Sequence, residues 1–476
     1  MDAKKLFIGG EWLDTGDYLD VASPFDGKPA GRVSKADAET TQRAIKCAFD
    51  AKGIMKSLTA KQRGDILDRL GSLIERDKEE IAGIITAEAG KGIMFSRGEA
   101  GRTAENFHFA ADEARRLGGE LIPFDASGSG SGRFGYYKRY PIGVVGAITP
   151  FNFPLNLVAH KVGPAIAAGC PIVLKPASST PLTAVKLVEL MLEAGMPKEG
   201  INLVVGSGSV VGNAMVESEL INMLTFTGSP EVGLDIKSKA GIKKVTLELG
   251  SNSAAVIHGD ADIKYAVPKC VTGGFANSGQ VCISIQRIYI HESRYDEFRD
   301  MFVDSVKASG FGDPADEKTL VGPMIDDGEA KRVEGWIKEA VEQGATLLTG
   351  GGRKGAMLEP TVLEGTTEKM KVVSDEAFAP LVCIMKYKTL EEVVERVNDS
   401  QFGLQAGFFT NDIKNAFYAI DNIDVGGVMI NDMPTFRVDQ MPYGGVKLSG
   451  TGREGPKFAV EEMTEIKTVM INLNEA

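Results

Sequence analysis

From Pro141 onward, short apolar runs alternate with helical stretches, and that rhythm restricts the possible folds more than any other feature. Residues 143–148, 171–175, 203–205 and 223–226 read as strands, separated by helical stretches at 154–169, 181–195 and 210–217. A second alternating run begins near 254–257 and continues to about residue 430. Such alternation predicts parallel sheets covered by helices on both faces, with ligands outside the carboxyl ends of the strands. Upstream, 36–56, 60–92 and 95–117 read as helices, so a helical N-terminal layer is expected. The serine–glycine run 127–132 predicts a flexible loop leading into a strand at 136–140.

Composition removes several alternatives. The 476 residues suffice for several domains of roughly 100–200 residues each. Against 65 acidic side chains stand 53 basic ones, a net charge of −12 with no Lys/Arg-rich block. Neither nucleic acid nor a membrane is therefore the expected partner. No apolar stretch reaches the ~18 residues of a spanning helix, and none near Met1 is long enough for a signal peptide. The five cysteines (Cys47, Cys170, Cys270, Cys282, Cys383) and the four histidines are scattered. That is neither a disulfide framework nor a zinc site; it fits a reducing, cytoplasmic compartment and no metal centre.

Several short segments admit both a chemical and a plainer reading. Cys282 closes Ser278-Gly279-Gln280-Val281-Cys282, a turn that can present a nucleophilic thiol, although most free cysteines are small core residues. Glu248 lies in Leu247-Glu248-Leu249-Gly250, where apolar surroundings suit a general base; a carboxylate paired with arginine is the alternative. Asn152, in Thr149-Pro150-Phe151-Asn152-Phe153-Pro154, is an oxyanion donor beside a helix start or that helix's cap. Lys175 ends a strand, where it holds a ribose or phosphate or is simply solvated. Phe226-Thr227-Gly228-Ser229-Pro230-Glu231-Val232-Gly233 reads as strand, glycine turn and helix, with N–H groups aimed at an anion. In Gly206-Ser207-Gly208-Ser209-Val210-Val211-Gly212 the third glycine falls one residue late for a dinucleotide fingerprint, so the segment reads as a turn near a cofactor.

In this order, the segments resemble the aldehyde dehydrogenase superfamily through nearly the whole chain. Asn152 and Lys175 are 23 residues apart, and Glu248 and Cys282 are 34 apart, as in that family. Glu376-Ala377-Phe378-Ala379-Pro380 resembles its E-x-F-G-P cofactor motif, and Pro442-Tyr443-Gly444-Gly445-Val446-Lys447-Leu448-Ser449-Gly450 its P-x-G-G-x-K-x-S-G segment. The resemblance implies an α/β fold of two Rossmann-like parallel-sheet domains plus a small β oligomerisation element. The NAD(P)-binding domain would comprise 1–118 and 141–247, the catalytic domain 248–440, and the oligomerisation element 119–140 and 455–476.

The resemblance also implies roles. Cys282 would attack an aldehyde and pass through a thiohemiacetal and a thioester, with Asn152 holding the oxyanion and Glu248 activating the hydrolytic water. Thr149, Phe151, Lys175, Ser178, Gly228, Ser229, Gly233, Leu249, Glu376 and Phe378 would hold NAD or NADP, and Asn431 would support the site. The presence of Glu248 favours hydrolysis over transfer of the acyl group to coenzyme A; that transfer and a non-catalytic structural role are the alternatives. Ser178 stands where NAD-preferring relatives usually carry glutamate, so NADP should be tolerated. Ser251 and Ala379 replace glycines of the usual motifs.

Arg102, His160, Arg287 and Arg437 fall where relatives line the aldehyde tunnel. Cations clustered in an acidic protein predict a short aldehyde with an anionic or polar tail, which the planar fork of arginine suits. Phosphonoacetaldehyde, 3-sulfolactaldehyde, glyceraldehyde 3-phosphate and succinate semialdehyde are candidates, and uncharged lactaldehyde is a further one. A homodimer or homotetramer is expected, since a strand at 465–471 would otherwise leave an open edge.

Overall fold

The computed structural model describes residues 2–473, so the parts of those expectations that fall on Met1 and 474–476 lie outside the described residues. An eight-stranded sheet runs, across its width, Glu11–Leu13, Leu6–Ile8, Ile201–Leu203, Ile172–Lys175, Val145–Ile148, Met223–Thr227, Lys244–Glu248 and Gly450–Thr451. The five strands from Ile201–Leu203 to Lys244–Glu248 are parallel. Ile172–Lys175 is buried at every position, because helices cover both faces of the sheet. The chain enters at Val145–Ile148, winds outward, then reverses to Met223–Thr227. The winding changes direction between Val145–Ile148 and Met223–Thr227, the point at which such sheets take ligands.

A seven-stranded sheet follows in the order Thr346–Thr349, Thr361–Glu364, Leu381–Tyr387, Arg287–His291, Ala254–Ile257, Gln405–Phe409 and Gly427–Ile430, parallel apart from its first pair. One apolar cluster around Tyr289 and Phe408 and another around Phe298 and Phe302 pack on it. A third, antiparallel sheet joins Thr464–Asn472, Arg133–Pro141 and Gly119–Ile122.

Ahead of the expected helical layer, residues 6–34 form the strands Leu6–Ile8, Glu11–Leu13, Tyr18–Ala22 and Pro29–Ser34. A three-residue strand is shorter than any readable period, so only pairing reveals it. The helical stretch 60–92 is two helices, Ala60–Arg76 and Lys78–Ala89, separated at Asp77.

Ligands at carboxyl strand ends describe only the first sheet. Glu248 ends a strand of that sheet, and the chain then passes Ser251 into Ala254–Ile257 of the second. Cys282 and Glu376 likewise precede Arg287–His291 and Leu381–Tyr387. The carboxyl ends of one sheet thus meet the amino ends of the other across the site.

Candidate active site

The segment carrying Cys282 is held in a strained shape. After the helix Ile263–Phe275, three successive residues, Asn277, Ser278 and Gly279, have φ of 52°, 56° and 67°. For the two non-glycine residues this costs about 1–3 kcal/mol each and persists only where neighbours over-determine it. The Asn277 amide donates to the carbonyls of Asn152 (3.3 Å) and Gln280 (3.2 Å), and the Ser278 hydroxyl to that of Gly322 (2.9 Å). Gly279 is required for room, since a Cβ there would lie 2.0 Å from the Ala379 carbonyl oxygen. Cys282 itself is half-buried, with Sγ 2.7 Å from the Tyr443 hydroxyl. Burial pushes its thiol up to about 12, against the pull of that hydrogen bond and of Arg437.

Asn152 is not a helix cap. The first N–H groups at the helix Asn156–Ala168 are met by Glu99, whose Oε1 accepts from Leu155 (2.9 Å) and Asn156 (3.1 Å). The Asn152 amide is free for another purpose: Nδ2 donates to the Gln280 carbonyl at 2.9 Å, two residues from the thiol. Glu248, at the end of its strand, is not paired with arginine. Neither carboxylate oxygen has a hydrogen-bond partner among the described residues. Burial, and then the nearby Glu454 carboxylate, raise its pKa well above the ordinary value. Gly444 makes the space, for a Cβ there would sit 2.8 Å from Glu248 Oε1.

Of the residues expected to hold a cofactor, Thr149, Lys175, Gly228 and Leu249 end or directly follow neighbouring strands of the first sheet at the winding reversal. Lys175 is buried rather than solvated; its ammonium touches only the Pro176 carbonyl (3.4 Å), and burial lowers its pKa to about 8. The Thr149 hydroxyl is buried without a partner among the described residues. Ser229 caps the helix Pro230–Lys239, accepting from the Val232 N–H at 3.4 Å. Gly233 lets that helix close on Leu249, whose side chain a Cβ would meet at 2.5 Å. The Gly228 N–H donates to the Glu248 carbonyl at 3.1 Å, joining this turn to the base. Glu376 is half-buried, accepts from the Ser251 N–H at 2.9 Å, and is pushed by desolvation up to about 7. Phe151 and Phe378 meet edge to face at 5.9 Å between centroids. Ser178 donates to the Gly206 carbonyl at 2.8 Å. An unpartnered hydroxyl, a buried ammonium and a capped glycine turn fit a phosphate- and ribose-bearing dinucleotide.

On the opposite side, three of the four expected tail-binding residues come together. The Arg437 guanidinium stacks 3.6 Å over the Tyr443 ring and donates to Glu454 Oε2 at 3.0 Å, while its Nε is buried and unpartnered among the described residues. His160 Nε2 lies 2.9 Å from both Arg437 and Asp439 Oδ1. One ring nitrogen cannot both accept from the guanidinium and donate to the carboxylate, so only one of the two contacts is a hydrogen bond in any one protonation state. Arg102 grips the same Asp439 at 2.8 and 3.1 Å. Although burial opposes it, Lys161, His160 and Arg437 together hold Glu454 down to about 2. Arg102, Phe109, Arg437 and Asp439 edge an open cleft.

Arg287 does not join them, which corrects its expected place in the tunnel. It lies in the second sheet, 4% exposed, donating to the carbonyls of Asn252 (2.8 Å), Arg396 (3.4 Å) and Val397 (3.4 Å). Asn431 is also apart: its side chain accepts from the Thr410 N–H at 2.9 Å. Sequence reasoning missed Tyr443, Glu454, Asp439 and Lys161. Tyr443 and Glu454 lie within or just beyond the glycine-rich C-terminal segment, the one local signal that could have flagged them.

A model of the aldehyde dehydrogenase family matches residues 12–469. The 3-sulfolactaldehyde dehydrogenase of Priestia aryabhattai is 46% identical over 468 residues, 98% of each chain. A lactaldehyde dehydrogenase of Methanococcus aeolicus is 43% identical over 471 residues, 98% of this chain and 100% of that one. Among solved structures, aldehyde dehydrogenase 21 from Physcomitrella patens, in complex with the reaction product succinate, superposes with a TM-score of 0.97 at 42% identity, covering 99% of each chain.

Proposed function

Because this chain belongs to the aldehyde dehydrogenase family and is an NAD(P)-dependent oxidoreductase of small aldehydes, we propose that its substrate is a short aldehyde with an anionic tail, oxidised on Cys282 to the free carboxylate. One observation carries the reading: Arg437 edges the open cleft and stacks on the same Tyr443 that touches the Cys282 sulfur. Its Nε, buried and without a partner among the described residues, is a donor that an anionic tail reaching past the cleft would satisfy, and Arg102 lines the same cleft.

In this reading the Cys282 thiolate attacks the carbonyl carbon, and the C=O electron pair moves to oxygen. The Asn152 amide and the Cys282 N–H hold that oxygen, each such donor being worth about 3–4 kcal/mol. The nicotinamide cofactor, when bound, supplies the hydride acceptor; Lys175, Ser178, Glu376 and the 228–233 turn would hold it. Glu248 then takes a proton from water, whose oxygen attacks the acyl carbon, and the C–S bond breaks to release the acid. Ser178 brings no negative charge to the ribose, so both NAD and NADP are accepted. Exposed Ile466, Met470 and Ile471 on the edge strand Thr464–Asn472 support a homodimer or homotetramer.

The test is a panel of 3-sulfolactaldehyde, succinate semialdehyde and lactaldehyde, run with both cofactors on the wild type and Arg437→Leu. The anionic aldehydes should lose at least about tenfold more kcat/KM than lactaldehyde in the variant. An equal loss for all three overturns the anionic-tail reading.

A further inference from the structure

We propose that Tyr443 is a catalytic residue: its hydroxyl holds the Cys282 sulfur at rest and donates to the thiolate as the nucleophile forms. The inference rests on the reading of Cys282 as the nucleophile. The contact is 2.7 Å long, spans 161 residues of sequence, and involves a tyrosine only 2% exposed. No water can readily replace a phenol in so closed a place, and a buried tyrosine hydroxyl needs a partner.

The ring is fixed from both sides of its backbone. Tyr443 and Glu454 exchange main-chain hydrogen bonds, Tyr443 N–H to Glu454 O at 3.1 Å and Glu454 N–H to Tyr443 O at 2.7 Å. Gly444, next in sequence, opens the space that Glu248 Oε1 fills, so the thiol's hydroxyl partner and the proposed base border one small volume. Arg437 lies 3.6 Å over the ring face. A cation there is attracted by the ring's π electrons and withdraws density from the phenol, which makes its O–H a stronger donor.

The charged and titratable groups acting on the sulfur are Tyr443, Arg437, Glu248 and Glu376. Glu248 and Glu376 oppose formation of a thiolate, whereas Tyr443 and Arg437 favour it. Without the phenol, one distant guanidinium would act alone against two carboxylates and burial. The proton balance is simple. The S–H proton leaves Cys282 for solvent, so Glu248 remains ionised for deacylation; the phenol keeps its own proton and turns it toward the sulfur. The sulfur lone pair then forms the C–S bond.

The test reads the thiol directly in the full-length enzyme without substrate, as the pH dependence of alkylation by iodoacetamide, with Cys282→Ala subtracting the other cysteines. In Tyr443→Phe the midpoint should rise by about one pH unit, equivalent to a tenfold smaller thiolate fraction below it. The kcat/KM should fall by about the same factor for anionic and neutral aldehydes alike. Replacing Tyr443 by 3-fluorotyrosine, which keeps the shape and makes the phenol more acidic, should lower the midpoint. An unmoved midpoint in Tyr443→Phe, or no lowering with 3-fluorotyrosine, overturns the role of Tyr443. If Tyr443→Phe fails to fold, the fluorinated protein decides by itself. Turnover retained by Cys282→Ala would instead overturn the nucleophile reading beneath it.

Discussion

The Asn152 side chain donates a 2.9 Å hydrogen bond to the main-chain carbonyl of Gln280, tying the first sheet's winding reversal to the turn that carries Cys282. One amide hydrogen is thereby committed to geometry; in the proposed mechanism the other donates to the oxyanion. Asn152→Ala should lower kcat roughly a hundred- to thousandfold, and single-turnover acylation should slow as much. The accompanying loss of one hydrogen bond should cost only about 1 kcal/mol in a urea unfolding curve.

Glu248 acts as a base only when ionised, and burial together with Glu454 keeps its pKa well above the ordinary value. Deacylation should therefore increase with pH through that raised pKa. Glu454→Gln removes a like charge and leaves Arg437 and Lys161 to favour the carboxylate, so the acid limb should move to lower pH. Glu248→Gln should slow deacylation by roughly 10²–10⁴-fold and let the acyl-enzyme accumulate in a rapid burst. An acid limb that stays in place in Glu454→Gln would show that the two carboxylates are not electrostatically linked.

Ser178 reaches the Gly206 carbonyl and carries no charge. In the proposed cofactor site, a carboxylate there would repel the 2′-phosphate of NADP. Ser178→Glu should raise the KM for NADP at least about tenfold while changing that for NAD far less. Initial-rate measurements with each cofactor decide it.

Arg287 donates to main-chain carbonyls inside the second sheet. Arg287→Leu strands those acceptors, at about 1–3 kcal/mol for each one left unsatisfied, so the midpoint of urea unfolding should fall clearly. The ratio of kcat/KM between anionic and neutral aldehydes should be unchanged. A selective loss for the anionic ones would place Arg287 on the substrate path after all.

Much of the architecture was legible because its signals are local. The wholly apolar Ile172-Val173-Leu174 run fits a strand buried on both faces, and the helix Asn156–Ala168 stops where Gly169 takes up a φ of 82°. The strand Leu6–Ile8 was not legible, since three buried residues have no period and depend on Trp12 and Leu203 for pairing. Cys282, Glu248 and Asn152 stood out through motif and spacing.

By itself, the sequence determined the alternating sheets and the family and proposed which residues do the chemistry, because each depends on neighbours within one element or motif. Only the tertiary structure decided their partners. Arg287 and Arg437 are the same residue type, yet one is directed to carbonyls within a sheet and the other to a cleft, because strand pleat and loop path set side-chain direction. Tyr443 was an ordinary aromatic in a glycine-rich segment until folding brought it to a thiol 161 residues away. Contacts of that range are made by tertiary packing, and a linear pattern holds no record of which faces will meet.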